Sequence, residues 1–138
     1  MNIDFAQINW LAIVVCFVVG QVFLTLWFTV LFGEPWAKAY DPKKTKSEHT
    51  KETPGYTYGI GALCTLLLTL GIAFLQNALN VQGISSGVSL GLFVSLMIVA
   101  TTMLPGYAFL KKLNGAAIAL GSQVVLIIIL SIILSAWK

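Results

Sequence analysis

The stretch that decides the fold is NWLAIVVCFVVGQVFLTLWFTVLFGEPW, residues 9–36. No charged residue lies between Ile8 and Phe32, and a helix needs roughly 20 apolar residues to cross a bilayer core of about 30 Å. The run reads as a membrane-spanning helix. Gly33-Glu34-Pro35 breaks it, and Pro35, whose missing N–H costs nothing in a first turn, is placed as the first residue of a short second helix. Trp36 and Tyr40 would share one side of that helix along the membrane surface, with Asp41-Pro42 ending it. Inside the span, Gln21, Thr25 and Thr29 recur every four residues and so share one helical face, which is expected to point away from lipid.

Composition extends this reading to the whole chain. Charged residues make up 9% of it against a usual share of about 25%, so lipid is the expected solvent for most of the protein. All eight basic residues are Lys, and without Arg's planar fork a nucleic-acid partner is not expected. Cys16 and Cys64 sit in apolar runs outside any C-x-x-C spacing, as buried reduced thiols would. The segment before Trp10 has no Lys or Arg, and the hydrophobic run is too long for a signal h-region, so no cleavable leader is expected.

Hydrophobicity places four spans, about 8–32, 56–79, 87–110 and 116–137, in one transmembrane domain. The short connections make consecutive helices antiparallel neighbours, and the expected fold is an all-α, up-down bundle. In the second span Thr57, Gly61, Thr65, Thr69, Ala73 and Asn77 form a small or polar ridge; in the third, Gly87, Gly91 and Ser95 repeat the pattern. Such ridges let helix backbones approach closely and predict a homo-oligomer or a partner complex. Pro105 cannot donate to the carbonyl of Thr101, so a kink or early stop is expected there. In the loop 33–55, Thr45-Lys46-Ser47-Glu48 has the form of a capping box. That loop is either a turn or two of exposed helix or an irregular charged segment.

Lysines set the expected orientation. Lys38, Lys43, Lys44, Lys46 and Lys51 lie in the first connection, Lys111 and Lys112 in the third, and none in the second. Lys near span ends is retained in the cytoplasm, which places both termini outside the inner membrane of a bacterium; only Lys138 dissents. Trp10, Trp27, Trp36, Tyr40 and Trp137 are the expected interface anchors.

No Asp, Glu, Lys, Arg or His lies within a span, which argues against ion pumps, voltage sensors and proton relays. The intramembrane polar candidates are therefore neutral: Gln21, Thr25, Thr65, Thr69, Thr101, Thr102 and Gln123. Gln21 and Gln123 both fall near the midplane and are expected to converge, either as interhelical glue or around a neutral cavity open toward the cytoplasm. His49, flanked by Glu48 and Glu52, reads as a solvated loop residue, since a lone His with two carboxylates is no closed ligand set. No nucleophile constellation, metal set or phosphate loop occurs, so no catalytic residue, metal or cofactor is expected, and no enzyme.

Asn9-Trp10-Leu11-Ala12, Gly20, Trp27-Phe28, Phe32-Gly33 and Trp36, with Pro105, Phe109 and Trp137 further on, carry a resemblance. The chain resembles the domain of unknown function 1761 family of small bacterial and fungal membrane proteins. The resemblance implies four membrane helices and no particular reaction. The expected function is a structural or accessory membrane subunit in contact with lipids, assembling through its small-residue faces. The alternative is a passive channel or small-solute carrier with a neutral polar cavity around Gln21 and Gln123.

Overall fold

In a bilayer every backbone N–H and C=O must find its partner inside the protein, which leaves helices as the natural outcome for long apolar runs. The computed structural model describes residues 5–137; Ile3, Asp4 and Lys138 lie outside them. Among the described residues there is no strand. Four helices are long and apolar enough to cross a membrane: α1 Trp10–Leu31, α4 Gly55–Ala78, α5 Ile84–Phe109 and α6 Leu113–Ala136. Two short helices, α2 Gly33–Tyr40 and α3 Lys46–Glu52, fill the first connection.

α1 starts at a cap that also closes the chain on itself. The Asn9 side chain accepts from the Ala12 N–H at 3.1 Å, satisfying one of the donors that a helix start leaves unpaired, and its Nδ2 donates to the Trp137 carbonyl at 3.0 Å. Its last turn, Trp27–Leu31, widens into a π-helix, and the Phe32 N–H closes it on the Trp27 carbonyl at 2.9 Å. This closure lets α2 begin at Gly33, so Pro35 is its third residue and not its first. The position is harmless all the same, because the first four N–H groups of a helix have no internal partner.

The charged connection is a built helix pair. Thr45 and Glu48 form the complete capping box, with the Glu48 carboxylate accepting from the Thr45 N–H at 2.8 Å. Glu34 of α2 accepts from the Lys46 N–H at 3.0 Å, and Lys44 pairs with Glu52. Glu34 and Glu48 thus both sit at the positive end of α3.

α6 is the hub, packed by α1, α4 and α5. Its tightest neighbour is α5, because Gly87 and Gly91 leave no side chain between the backbones. A Cβ at Gly87 would overlap Ser135 Oγ and lie 2.7 Å from the Ser131 carbonyl, and one at Gly91 would lie 3.0 Å from Ile128 Cα. Ser95, one turn on, is fully buried. The small face of α5 is therefore occupied by α6 of the same chain.

Pro105 does not stop α5, which continues to Phe109. The irregularity lies upstream, where Val94–Ala100 is π-wound. Thr101 Oγ1 donates to the Met97 and Ile98 carbonyls and Thr102 Oγ1 to those of Ile98 and Val99, at 2.8 to 3.0 Å. These bonds serve carbonyls of the π-wound turn and not the Thr101 carbonyl that Pro105 leaves without its N–H partner.

The continuous apolar cluster lies in one half of the bundle, and the buried apolar residues outside it are the alanines Ala37, Ala100, Ala116 and Ala119. Ala12, Ile13 and Cys16 of α1, Ile72 and Ala73 of α4, Leu90 and Val94 of α5, and Leu126, Ile127, Leu130 and Leu134 of α6 form a continuous buried cluster toward the chain termini. The half carrying the lysine-bearing loops is built differently.

Candidate functional site: a cavity between α1 and α4

On α4, burial begins only at Thr65; Tyr56, Tyr58 and Gly61 in its first two turns are exposed. Nothing lies within 4 Å of a Cβ built on Gly55, Gly59 or Gly61. α4 thus stands away from α1 toward the loops and meets it near the middle. The wedge between them is a cavity of about 720 Å³, within the range of roughly 300–1,000 Å³ typical of small-molecule sites.

Its floor is made by Gln21, Thr65, Leu68, Gln123 and Leu126, its sides by Leu24, Thr25, Phe28 and Thr29 of α1 with Thr57, Gly61 and Cys64 of α4, and its roof by Trp36, Tyr40, His49, Thr50 and Thr53 of α2 and α3. Below the floor lies the packed core, so the cavity does not run the length of the bundle. Its lining contains no Asp, Glu, Lys or Arg. Lining residues run from 21 to 29 on α1 and from 57 to 68 on α4, a length of about 12–16 Å at 1.5 Å per residue.

The structure brings Gln21 and Gln123 to the same floor but not into a mutual hydrogen bond; among the described residues neither carboxamide bonds to another residue. Gln21 Nε2 is shut away from solvent with no partner, a costly condition for an amide inside a protein. Thr25 and Thr65 line the same space. Thr69 lies fully buried behind it, its hydroxyl donating to the Thr65 carbonyl at 2.8 Å. Thr101 and Thr102 do not join this centre: they sit exposed on α5, with both hydroxyls bonded to their own helix.

Two other expectations change in place. Gly61 packs against nothing and opens the cavity wall instead. Trp27 is half-buried against α6 and does not stand in an outer belt: its indole N–H donates to the Ile118 carbonyl at 3.1 Å and its ring lies over Gly121. Trp10, Tyr40 and Trp137 are exposed, whereas Trp36 is half-buried in the roof.

The roof holds the residue that sequence reasoning set aside. Phe28, Trp36 and Tyr40 make successive edge-on contacts at 4.7 and 4.8 Å between centroids, and His49 stacks on Tyr40 at 5.8 Å. A lone histidine in a charged loop gives no sign of this, because the stack forms only when α3 folds over α2. Tyr40 also ties the roof to the third connection: its backbone carbonyl accepts from Lys112 Nζ at 2.6 Å, and Tyr107 of α5 lies beside its phenol. Burial, reinforced by Tyr107, holds the Tyr40 phenol well above its usual value, so it stays neutral across the physiological range. The Thr45 backbone and hydroxyl hold Glu48 below its usual value. Among the described residues no three of His, Cys, Asp and Glu come together as a metal set.

Sequence reasoning also missed the polar bond at the other end of the bundle. Gln76, almost fully buried, donates from Nε2 to the Ser131 carbonyl at 2.8 Å. The available signal was the spacing of Ser131 and Ser135 on α6, which leaves backbone carbonyls accessible to a neighbouring side chain.

A four-span, all-helical membrane protein with a cavity between α1 and α4 that ends on the packed core is thus the class that fold and site define. The family model described as "Protein of unknown function (DUF1761)" matches residues 11–135, and the chain belongs to that family. No curated protein and no solved structure matches the chain.

Proposed function

We propose that the protein is a membrane-embedded binding protein or carrier for a small uncharged solute, held in the wedge between α1 and α4. The observation that supports this reading is the cavity of about 720 Å³ lined by no Asp, Glu, Lys or Arg. A charged solute would lose its hydration there with no counter-charge to replace it, whereas an uncharged one finds apolar walls and a few amide and hydroxyl groups, the usual make-up of a small-molecule site. The packed half beneath the floor argues for binding, or for a carrier that must rearrange, over a standing pore. The lysine distribution supports a mouth on the cytoplasmic face of a bacterial inner membrane, with both termini outside. The reading needs no bond to be made or broken.

Cys64 lies in the wall, while Cys16 is buried, so thiol labelling of the reconstituted protein reports on the cavity. A neutral maleimide is expected to label Cys64, and Gly61→Trp, which fills space where no atom stands within 4 Å, to slow labelling at least tenfold while the protein stays folded. Labelling unchanged by Gly61→Trp, or absent altogether, would overturn the reading.

A further inference from the structure

The proposed cavity also constrains what enters it, and the inference rests on that reading. Four of its threonines have their hydroxyl protons engaged: Thr29 donates to the Thr25 carbonyl, Thr50 to Lys46, Thr53 to His49 and Thr65 to Gly61. They offer a ligand methyl groups and oxygen lone pairs, not donors. At the floor the donors left are the carboxamides of Gln21 and Gln123, and Gln21 Nε2 has no partner. A buried donor in that condition is satisfied by an incoming acceptor oxygen after rotation about the last side-chain bond.

Shape narrows the class further. A volume of about 720 Å³ spread over about 12–16 Å of helix gives a mean width of roughly 8 Å, room for a ring and more than one extended hydrocarbon chain fills. Above the floor the walls carry apolar and aromatic groups, from Leu24 up to Phe28 and Trp36, beside the hydroxyls of Thr25 and Thr57.

We propose that the occupant is a neutral, ring-sized amphiphile bound carbonyl end first, with an acceptor oxygen on the Gln21 and Gln123 carboxamides and its apolar remainder along Phe28 and Trp36. Quinone-type heads and other cyclic ketones have this chemistry. No redox step is part of the assignment; it concerns binding alone.

The test uses the full chain in phosphatidylcholine nanodiscs and three probes that share a ring and a decyl chain. These are a fully substituted decyl benzoquinone, which has no open ring position for thiol addition, decylbenzene, and decylbenzenesulfonate. Each competes with neutral maleimide for Cys64. The quinone is expected to protect Cys64 at concentrations at least tenfold below those needed of the other two. Gln21→Leu and Gln123→Leu are each expected to weaken its protection by about tenfold while leaving that of decylbenzene unchanged. Equal protection by decylbenzene would overturn the carbonyl assignment, and equal protection by the sulfonate would overturn neutrality. No protection by any probe, with Cys64 still labelled and still slowed by Gly61→Trp, would overturn the occupant while leaving the cavity reading standing. A Cys64 inert to maleimide would bring down both.

Discussion

The two halves of the bundle are made of the same four helices and differ in how closely those helices meet. Toward the termini, α1, α4, α5 and α6 share a continuous core with fully buried Leu130, Ile127 and Cys16 and a small pocket of about 20 Å³ beside Asn9 and Gln76, space for about one water. Toward the loops, α4 leans away, and the space is roofed by α2 and α3 instead of being filled. In lipid, apolar surface gains little by meeting apolar surface, so association depends on close packing and on hydrogen bonds between helices. Both are concentrated in the terminal half, which frees the other half to stay open.

The comparison can be broken most severely at Gly87. Gly87→Leu would drive a side chain into Ser135 and the Ser131 carbonyl, and overpacking at backbone contact is expected to cost more than about 3 kcal/mol. Size-exclusion chromatography in mild detergent should show loss of the folded species. The same change at Gly61, where the space is open, should leave the elution profile intact.

Next in size is a pair of truncations. Leu130→Ala in the packed half should lower stability by about 2 kcal/mol, below the larger values of soluble cores because lipid replaces water as the reference for the lost methyl groups. Leu68→Ala at the cavity floor should cost well under half as much. Thermal unfolding in one detergent measures both.

The sharpest test is a change of sign. Gln76→Leu removes the bond to the Ser131 carbonyl and is expected to destabilise by about 0.6–2 kcal/mol. Gln21→Leu removes a buried amide donor that has no partner and is expected to be neutral or stabilising by about 1 kcal/mol. If both glutamines destabilise alike, the contrast between the halves fails.

The smallest effect is confined to the roof. Thr45→Ala should loosen α3 by about 1 kcal/mol, seen as faster amide exchange over Lys46–Glu52 with the four spans unchanged. Because the folded-state pKa of Glu48 is lowered, its contribution to the box is present above the unfolded carboxylate value and is lost as pH falls through the depressed one. Protection factors in α3, taken against the intrinsic exchange rate at each pH, should therefore fall in acid in the parent protein and respond less in Thr45→Ala.

Much of the fold was legible because it follows from local chemistry. Charge-free runs of bilayer length, the Pro35 break and the Thr45-Glu48 box each announce themselves within a few residues. The candidate site was legible in part: the four-residue spacing put Gln21, Thr25 and Thr29 on one face, and counting put Gln123 at the same depth. The Thr101 and Thr102 hydroxyls looked like the same kind of group, yet they serve the π-wound turn above Pro105, a bonding choice that residue type alone does not specify. His49 looked solvated because its partner, Tyr40, lies on another helix.

What the amino-acid sequence determined by itself is that four helices cross lipid, where they end, and that no charge lies inside them, because burial in a bilayer acts on each segment separately. Which small faces are occupied, that Gln76 is bonded while Gln21 is not, and that α1 and α4 part toward the loops were decided only by the tertiary structure. Those outcomes depend on distances between helices, and a spacing pattern on one helix says which side can be approached without saying which neighbour approaches it or how closely.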